Sequence, residues 1–301
     1  MPFRFRQGVF LLVFWGWASL CAALTVTDDT GVQVTLDHPP QRIVSLAPHA
    51  TELLFSLGLG SHVVGVSEYS DYPPPALDIP RVGRHNNFNL EKILALKPDL
   101  ILAWASGNGP DVIKRLRDFG FVVFALEPET LTAVPDALVR LGHLTGKEFI
   151  ARKKAAAYRN RLEQITERYA DHATVRVFYQ VWDAPLMTLA GEQYVTDAIA
   201  RCGGQNIFAD MPGKTATVGE EAVLARAPEL ILAAGDSGSK STFNRWRALG
   251  GIPAVEYDQL VLLPPDLLAR PTLRLVDGLQ HLCQAIEGAR RGGARVNSET
   301  P

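Results

Sequence analysis

The sequence predicts an α/β protein of two Rossmann-like lobes, each on a central parallel-type sheet, joined by one long α-helix that serves as a rigid hinge. Three observations predict it. Strands and helices alternate in two separate sets, the pattern of parallel sheets covered on both faces. A helical run without Gly or Pro lies between the sets. The stretch EKILALKPDLIL at 91–102 returns as EAVLARAPELIL at 221–232, about 130 residues on, with Glu, Leu, Ala, Pro, Leu, Ile and Leu at the same places.

The chain starts with Arg4 and Arg6, an apolar run at 9–20 and the small residues Cys21, Ala22 and Ala23. That charged–apolar–small order is the grammar of a secretory signal peptide, so residues 1–23 are expected to be removed and the rest exported. The alternatives are an uncleaved anchor or a lipid on Cys21. Loss of the leader leaves Cys202 and Cys283, either a disulfide in an oxidising compartment or two separate buried thiols. A bridge would close a loop of roughly 80 residues and contribute a few kcal/mol.

The N-terminal lobe is expected over 24–145. RIVSLA (42–47) reads as a buried strand, ATELLFSLG (50–58) as a helix and HVVGVS (62–67) as a strand. The proline-rich SDYPPPALDIP must be loop. Asn89 caps the helix LEKILAL, Pro98 ends it, and DLILAW (99–104) is a strand. The helix DVIKRLRDFG, the strand FVVFAL and the helix TLTAVPDALVRLGHL complete the set.

The linker is expected over 146–170. Thr145 and Glu148 have capping-box spacing, and Phe149, Tyr158, Leu162, Ile165 and Tyr169 form an apolar stripe. Such a helix spans about 35 Å, enough to cross between lobes. The C-terminal lobe, 171–287, reads as strand 175–182, helices at 194–202 and 220–227, strand 228–235, helix 242–249, strand PAVEYD (253–258) and a last helix over about 271–287. Arg42 and Arg176 open the two lobes. The polar tail 288–301 is expected to be disordered.

A formal net charge of −2 with no basic stripe argues against nucleic acid. The chain has no GxSxG, P-loop, HExxH or CxxC. The GxG at 58–60 ends a helix, and the seven histidines lack metal-ligand spacing. An exported two-lobed chain without catalytic machinery reads as a carrier, not an enzyme, with neither resident cofactor nor metal. Ligands bind beyond the carboxyl ends of parallel strands. That rule singles out Ala47, Pro48 and His49 after the first strand, Tyr69 after the second, Trp104 after the third, and Trp182 in the second lobe. Tyr and Trp give stiff apolar faces with one polar handle, suited to a large flat ligand, although core packing would use the same residues.

The segments VSEYSDYPPPA, NLEKILALKPDLILAW, RCGGQNIF, LARAPELIL and DLLARPTLRLVDGLQHLCQAI resemble the periplasmic cobalamin-binding receptors of ABC importers, over about residues 40–287. These belong to a wider class of helix-hinged receptors for cobalamin, haem, siderophores, zinc or manganese. The resemblance implies that Tyr69 and Trp104 line a corrinoid cleft and that Asp266 contacts the ligand's rim. It implies that Glu91 and Glu221, one per lobe, pair with arginines on a two-fold permease dimer at the inner membrane, and that Cys202 and Cys283 form the family's disulfide. It also implies a periplasmic monomer with modest lobe closure. Three positions depart from the pattern. His85 stands where a Trp is expected, as a polar wall residue or an axial approach to a metal, and Val181 and Thr215 replace two other aromatics, with Trp182 adjacent as a substitute. The implied ligand is cobalamin or a related corrinoid. The alternative is haem or an Fe(III)-siderophore, for which Arg81 and Arg84 supply positive charge. An exported metal enzyme of similar architecture would need Cys or His ligands that the chain does not supply.

Overall fold

The structure is a computed structural model that describes residues 23–84, 86–235 and 241–299, with side chains to residue 292. The apolar leader and Cys21 lie outside the described residues.

A short antiparallel hairpin, β1 (Leu24–Thr27) and β2 (Gln33–Leu36), precedes the first lobe. That lobe comprises β3 (Ile43–Ser45), α1 (Pro48–Ser56), β4 (Val63–Ser67), β5 (Arg81–Arg84), β6 (Asn87–Phe88), α2 (Leu90–Leu96), β7 (Leu100–Trp104), α3 (Ala105–Asn108), α4 (Pro110–Asp118), β8 (Val123–Leu126) and α5 (Ala133–Leu144). Its sheet has the order β6-β5-β4-β3-β7-β8, parallel except at the β5–β6 edge. The two-lobed α/β architecture expected from the sequence is the one observed, but both sheets are mixed.

After α6 (Glu148–Tyr169) the second lobe follows: β9 (Val175–Trp182), β10 (Met187–Leu189), α7 (Tyr194–Arg201), β11 (Gly204–Asn206), β12 (Thr215–Thr217), α8 (Glu220–Arg226), β13 (Leu230–Ala234), α9 (Asn244–Leu249), α10 (Pro253–Glu256), β14 (Leu260–Leu263), α11 (Pro265–Ala269) and α12 (Leu275–Glu299). Its sheet runs β12-β10-β9-β13-β14. The long β9 takes parallel β11 along its first half and antiparallel β10 along its second.

The repeated segment occupies the same place in both lobes. Leu100 and Leu102 of β7 face one side of their sheet while Ile101 and Ala103 face the other, and Leu230, Leu232, Ile231 and Ala233 of β13 divide in the same way. A strand buried on both faces needs a continuous apolar run, which is what the repeat supplies. The helix before each strand ends on a left-handed residue, Lys97 (φ 45°) or Ala227 (φ 43°), and proline follows. The next residue is acidic. Asp99 accepts the backbone N–H groups of Gln41 and Arg42 at 2.7 and 2.9 Å, and Glu229 accepts that of Arg176 at 2.8 Å. In return Arg42 Nε donates to the Leu96 carbonyl at 2.8 Å and Arg176 Nε to that of Ala227 at 2.9 Å, satisfying orphan groups at each helix end. The repeat therefore encodes a knot tying helix, strand and the lobe's opening strand.

α6 contributes Ala151 to the core of the first lobe and Tyr158, Leu162, Ile165 and Tyr169 to that of the second. With Ala155, its buried residues alternate at spacings of four and three, the seam of a helix packed along its length. Phe149 falls off that seam and is 81% exposed, so it does not belong to the stripe. The capping box also fails to form: Thr145 Oγ1 donates back to the Leu141 carbonyl at 2.7 Å, closing α5 instead of opening α6. PAVEYD is not a strand. Pro253 starts α10, Ala254 N–H is spent on the Pro228 carbonyl, and the edge strand is β14. α12 continues to Glu299 through the segment read as a tail. Cys202 and Cys283 form a disulfide with a Cα–Cα distance of 4.8 Å, joining the end of α7 to α12 within the core.

Candidate ligand-binding cleft

Between the lobes lies a cleft of about 280 Å³. Its N-terminal wall is built where strands end. β7 runs out into Trp104, whose backbone N–H is held by Asn108 Oδ1 at 2.7 Å. Gly107 follows because a Cβ there would sit 2.0 Å from the indole, so only glycine lets the turn pass behind the ring. Tyr69, beyond β4, takes a left-handed backbone (φ 66°) that is costly for an aromatic residue, and its ring is two-thirds exposed in the cleft. His49, in the first turn of α1, lines the same wall, meets Trp104 edge to face at 5.6 Å, and is 4% exposed.

The opposite wall is charged. Lys214, in the turn before β12, pairs across the cleft with Glu127 and, at 3.4 Å, with Glu129. Burial opposes the charge on Glu127, but Lys214 and the Ser106 hydroxyl and N–H outweigh it and hold the carboxyl below its usual range. Burial likewise opposes the charge on Lys214, and its two carboxylate partners raise it instead. Arg270, after α11, reaches Glu52 of α1 at 3.0 Å, Asp71 at 2.7 Å and the Tyr69 carbonyl at 3.1 Å. Arg274 doubles the hold on Glu52 at 2.6 Å and stacks over Tyr72 at 3.6 Å. Two sets of ion pairs thus span the lobes.

Of the residues singled out from the sequence, Tyr69 and Trp104 line the cleft together. Trp182 ends β9 outside the cavity lining, 62% exposed, its indole N–H donated to the Ala184 carbonyl at 3.0 Å. Asp266 sits in α11 just beyond the lining, its carboxylate 4.0 Å from Arg270. His85 lies outside the described residues. Glu91 and Glu221 occupy the second position of α2 and of α8, both exposed, and neither enters an ion pair among the described residues. Arg81 donates to the Ser70 carbonyl at 2.9 Å and Arg84 pairs with Glu68 at 2.9 Å, and neither lines the cleft. Sequence reasoning missed Glu127, Lys214 and Arg270. Glu127 directly follows β8, so the strand-exit rule would have found it; Lys214 carries no such local signal. Among the described residues no cluster of His, Cys, Asp and Glu could hold a metal ion, and no helix is long and apolar enough to cross a membrane.

The periplasmic binding protein family matches residues 43–267. A vitamin B12-binding protein of Vibrio cholerae is 39% identical over 254 residues, covering 84% of this chain and 91% of that one. A vitamin B12-binding protein of Photorhabdus laumondii is 34% identical over 82% of this chain and 88% of its own. Among solved structures, the periplasmic vitamin B12-binding protein of Vibrio cholerae superposes with a TM-score of 0.78, covering 84% of this chain and 99% of that one at 39% identity. A periplasmic haem-binding protein of Pseudomonas aeruginosa gives 0.73 at 26% identity, over 82% and 92%. The chain belongs to the periplasmic binding protein family.

Proposed function

We propose that the protein is an exported, monomeric receptor that captures cobalamin or a related corrinoid between its lobes and delivers it to an ABC import permease. The wall of Tyr69, Trp104 and His49 carries the reading, in a chain similar to vitamin B12-binding proteins. A corrin ring is broad, flat and largely apolar with a polar rim, and stiff aromatic faces bury such a surface at little entropic cost. Asp266, and Trp182 once the mouth widens, would serve that rim, and the family resemblance adds His85 to the ligand-binding set. On this reading residues 24–145 and 171–287 are the jaws, and 146–170 the linker.

The haem or siderophore alternative draws less support. Anionic cages need free positive charge, and Lys214 and Arg270 are each matched by carboxylates. Calorimetry on mature protein should detect cyanocobalamin or cobinamide at micromolar concentration; silence with both would end the corrinoid reading. Glu91 and Glu221 are offered as paired docking points, since exposed charge steers and orients an encounter more than it adds affinity. The double variant Glu91→Arg, Glu221→Arg should abolish uptake into cells while leaving capture intact, and unchanged uptake would remove them from the interface.

A further inference from the structure

Among the described residues of the cleft, His49 is the side chain with a buried polar atom that meets no partner. Its Nε2 is enclosed and meets no hydrogen-bond partner, a situation that costs on the order of 1–3 kcal/mol and that folded chains seldom tolerate without use. Burial pushes the imidazole pKa down to about 4; the nearby Glu127 charge opposes this and that of Arg270 adds to it. The ring is therefore neutral at physiological pH, with a lone pair to offer. Its edge-to-face seat against Trp104 fixes its plane, and Trp104 is itself fixed by Asn108 and the gap at Gly107. A neutral, oriented, buried imidazole has the lone pair and fixed direction of a transition-metal ligand.

The cleft as it stands is smaller than the ~300–1,000 Å³ usual for drug-sized ligands, and a corrinoid is larger than those. A guest of that size must part the ion pairs across the mouth, and Glu127 and Arg270, the charges nearest His49, belong to those pairs. Coordination by His49 requires that this opening uncover the imidazole as the guest enters.

Resting on the corrinoid reading above, we propose that His49 coordinates the bound corrinoid's cobalt through Nε2, replacing an exchangeable axial water. The step is a ligand exchange: the cobalt–water bond breaks, the imidazole lone pair forms a cobalt–nitrogen bond, and water leaves. Cobalt keeps its oxidation state, and no proton moves if Nδ1 carries the ring hydrogen. Corrinoids with an exchangeable water are thereby favoured over cyanocobalamin, whose two axial positions are filled by cyanide and its own nucleotide base.

The test is absorption spectroscopy with calorimetry on the mature protein, using aquocobalamin and cyanocobalamin. The expected result is a shift of the aquocobalamin bands towards those of an imidazole complex, with about tenfold or greater preference for aquocobalamin. His49→Gln keeps a polar end of similar reach but a poor metal ligand, so it should remove both the shift and the preference for aquocobalamin. Aquocobalamin bound by the wild type with an unshifted spectrum overturns the proposal, as does a shift that persists in His49→Gln. If neither corrinoid binds the wild type, the corrinoid reading itself fails, a different result from binding without coordination. The wild-type spectrum decides even if the variant does not fold.

Discussion

In the N-terminal lobe β7 runs out of its sheet into Trp104, whereas the matching strand β13 ends in Ala234, although both follow the same short helix, left-handed residue and proline. The knot of Arg42 with Asp99 is repeated by Arg176 with Glu229, down to hydrogen bonds within about 0.1 Å of each other. The frame is duplicated and the walls are not. The first lobe presents three rings and two carboxylates with no cation, and the second presents Tyr194 and Glu192 together with both cations, Lys214 and Arg270. Residues holding the chain to itself recur because the same backbone groups need partners in each lobe. Residues facing a guest diverge because a lopsided guest meets each wall differently.

Four perturbations would break or sharpen that contrast. The largest concerns a feature of the second lobe with no counterpart in the first. Replacing both Cys202 and Cys283 with Ala opens a link between residues 81 apart and should cost roughly 4 kcal/mol in denaturant unfolding, with the loss confined to the C-terminal lobe. Next, Trp104→Ala should weaken corrinoid binding by about 2–4 kcal/mol, roughly 30- to 1,000-fold in calorimetry, while Ala234→Ser changes it little. Equal effects would mean that the lobes share the guest evenly. Third, Asp99→Ala and Glu229→Ala should each lower stability by about 0.5–1.5 kcal/mol, because each removes the acceptor that ties the opening strand of its lobe. If one is silent, the knot is not a common frame.

The smallest effect is on pH. The Glu127 carboxyl is depressed, so its contribution is present above the ordinary value of 4.5 and is lost as pH falls through the lower folded value. The Lys214 ammonium is raised, so its contribution is present below 10.5 and is lost only above that. The tie between the lobes is thus level across neutral pH and loosens in acid. It is worth at most about 1 kcal/mol, because Lys214 is 38% exposed. Small-angle scattering should show slight opening below pH 4.5 in the wild type and less change in Lys214→Met, which keeps only the Arg270 and Arg274 pairs.

Legibility in the sequence followed burial. β7 and β13 are continuous apolar runs because water reaches neither face, and α2 announces itself through the Asn89 cap, whose side chain accepts Lys92 N–H at 2.9 Å. β10, β11 and β12 are three residues each; β9 offers an edge to β10 and β11, and β10 offers one to β12, so no local pattern marks them. Lys214 was hidden with them, as its position depends on the turn before β12. Tyr69 and Trp104 were visible as strand exits. That His49 lacks a partner is a tertiary fact, unreadable from its neighbours. Thr145 shows the converse: a sound local motif, overruled when the preceding helix used its hydroxyl.

The backbone passes between the halves once, through α6, so each half is an unbroken stretch of gene. Recombination among relatives could therefore exchange one half for a cousin's, and with it the taste for a different cargo. Two passengers limit that trade. Leu131 and Val134 travel with the first half but are buried in the core of the second, so they decide which cousins are compatible.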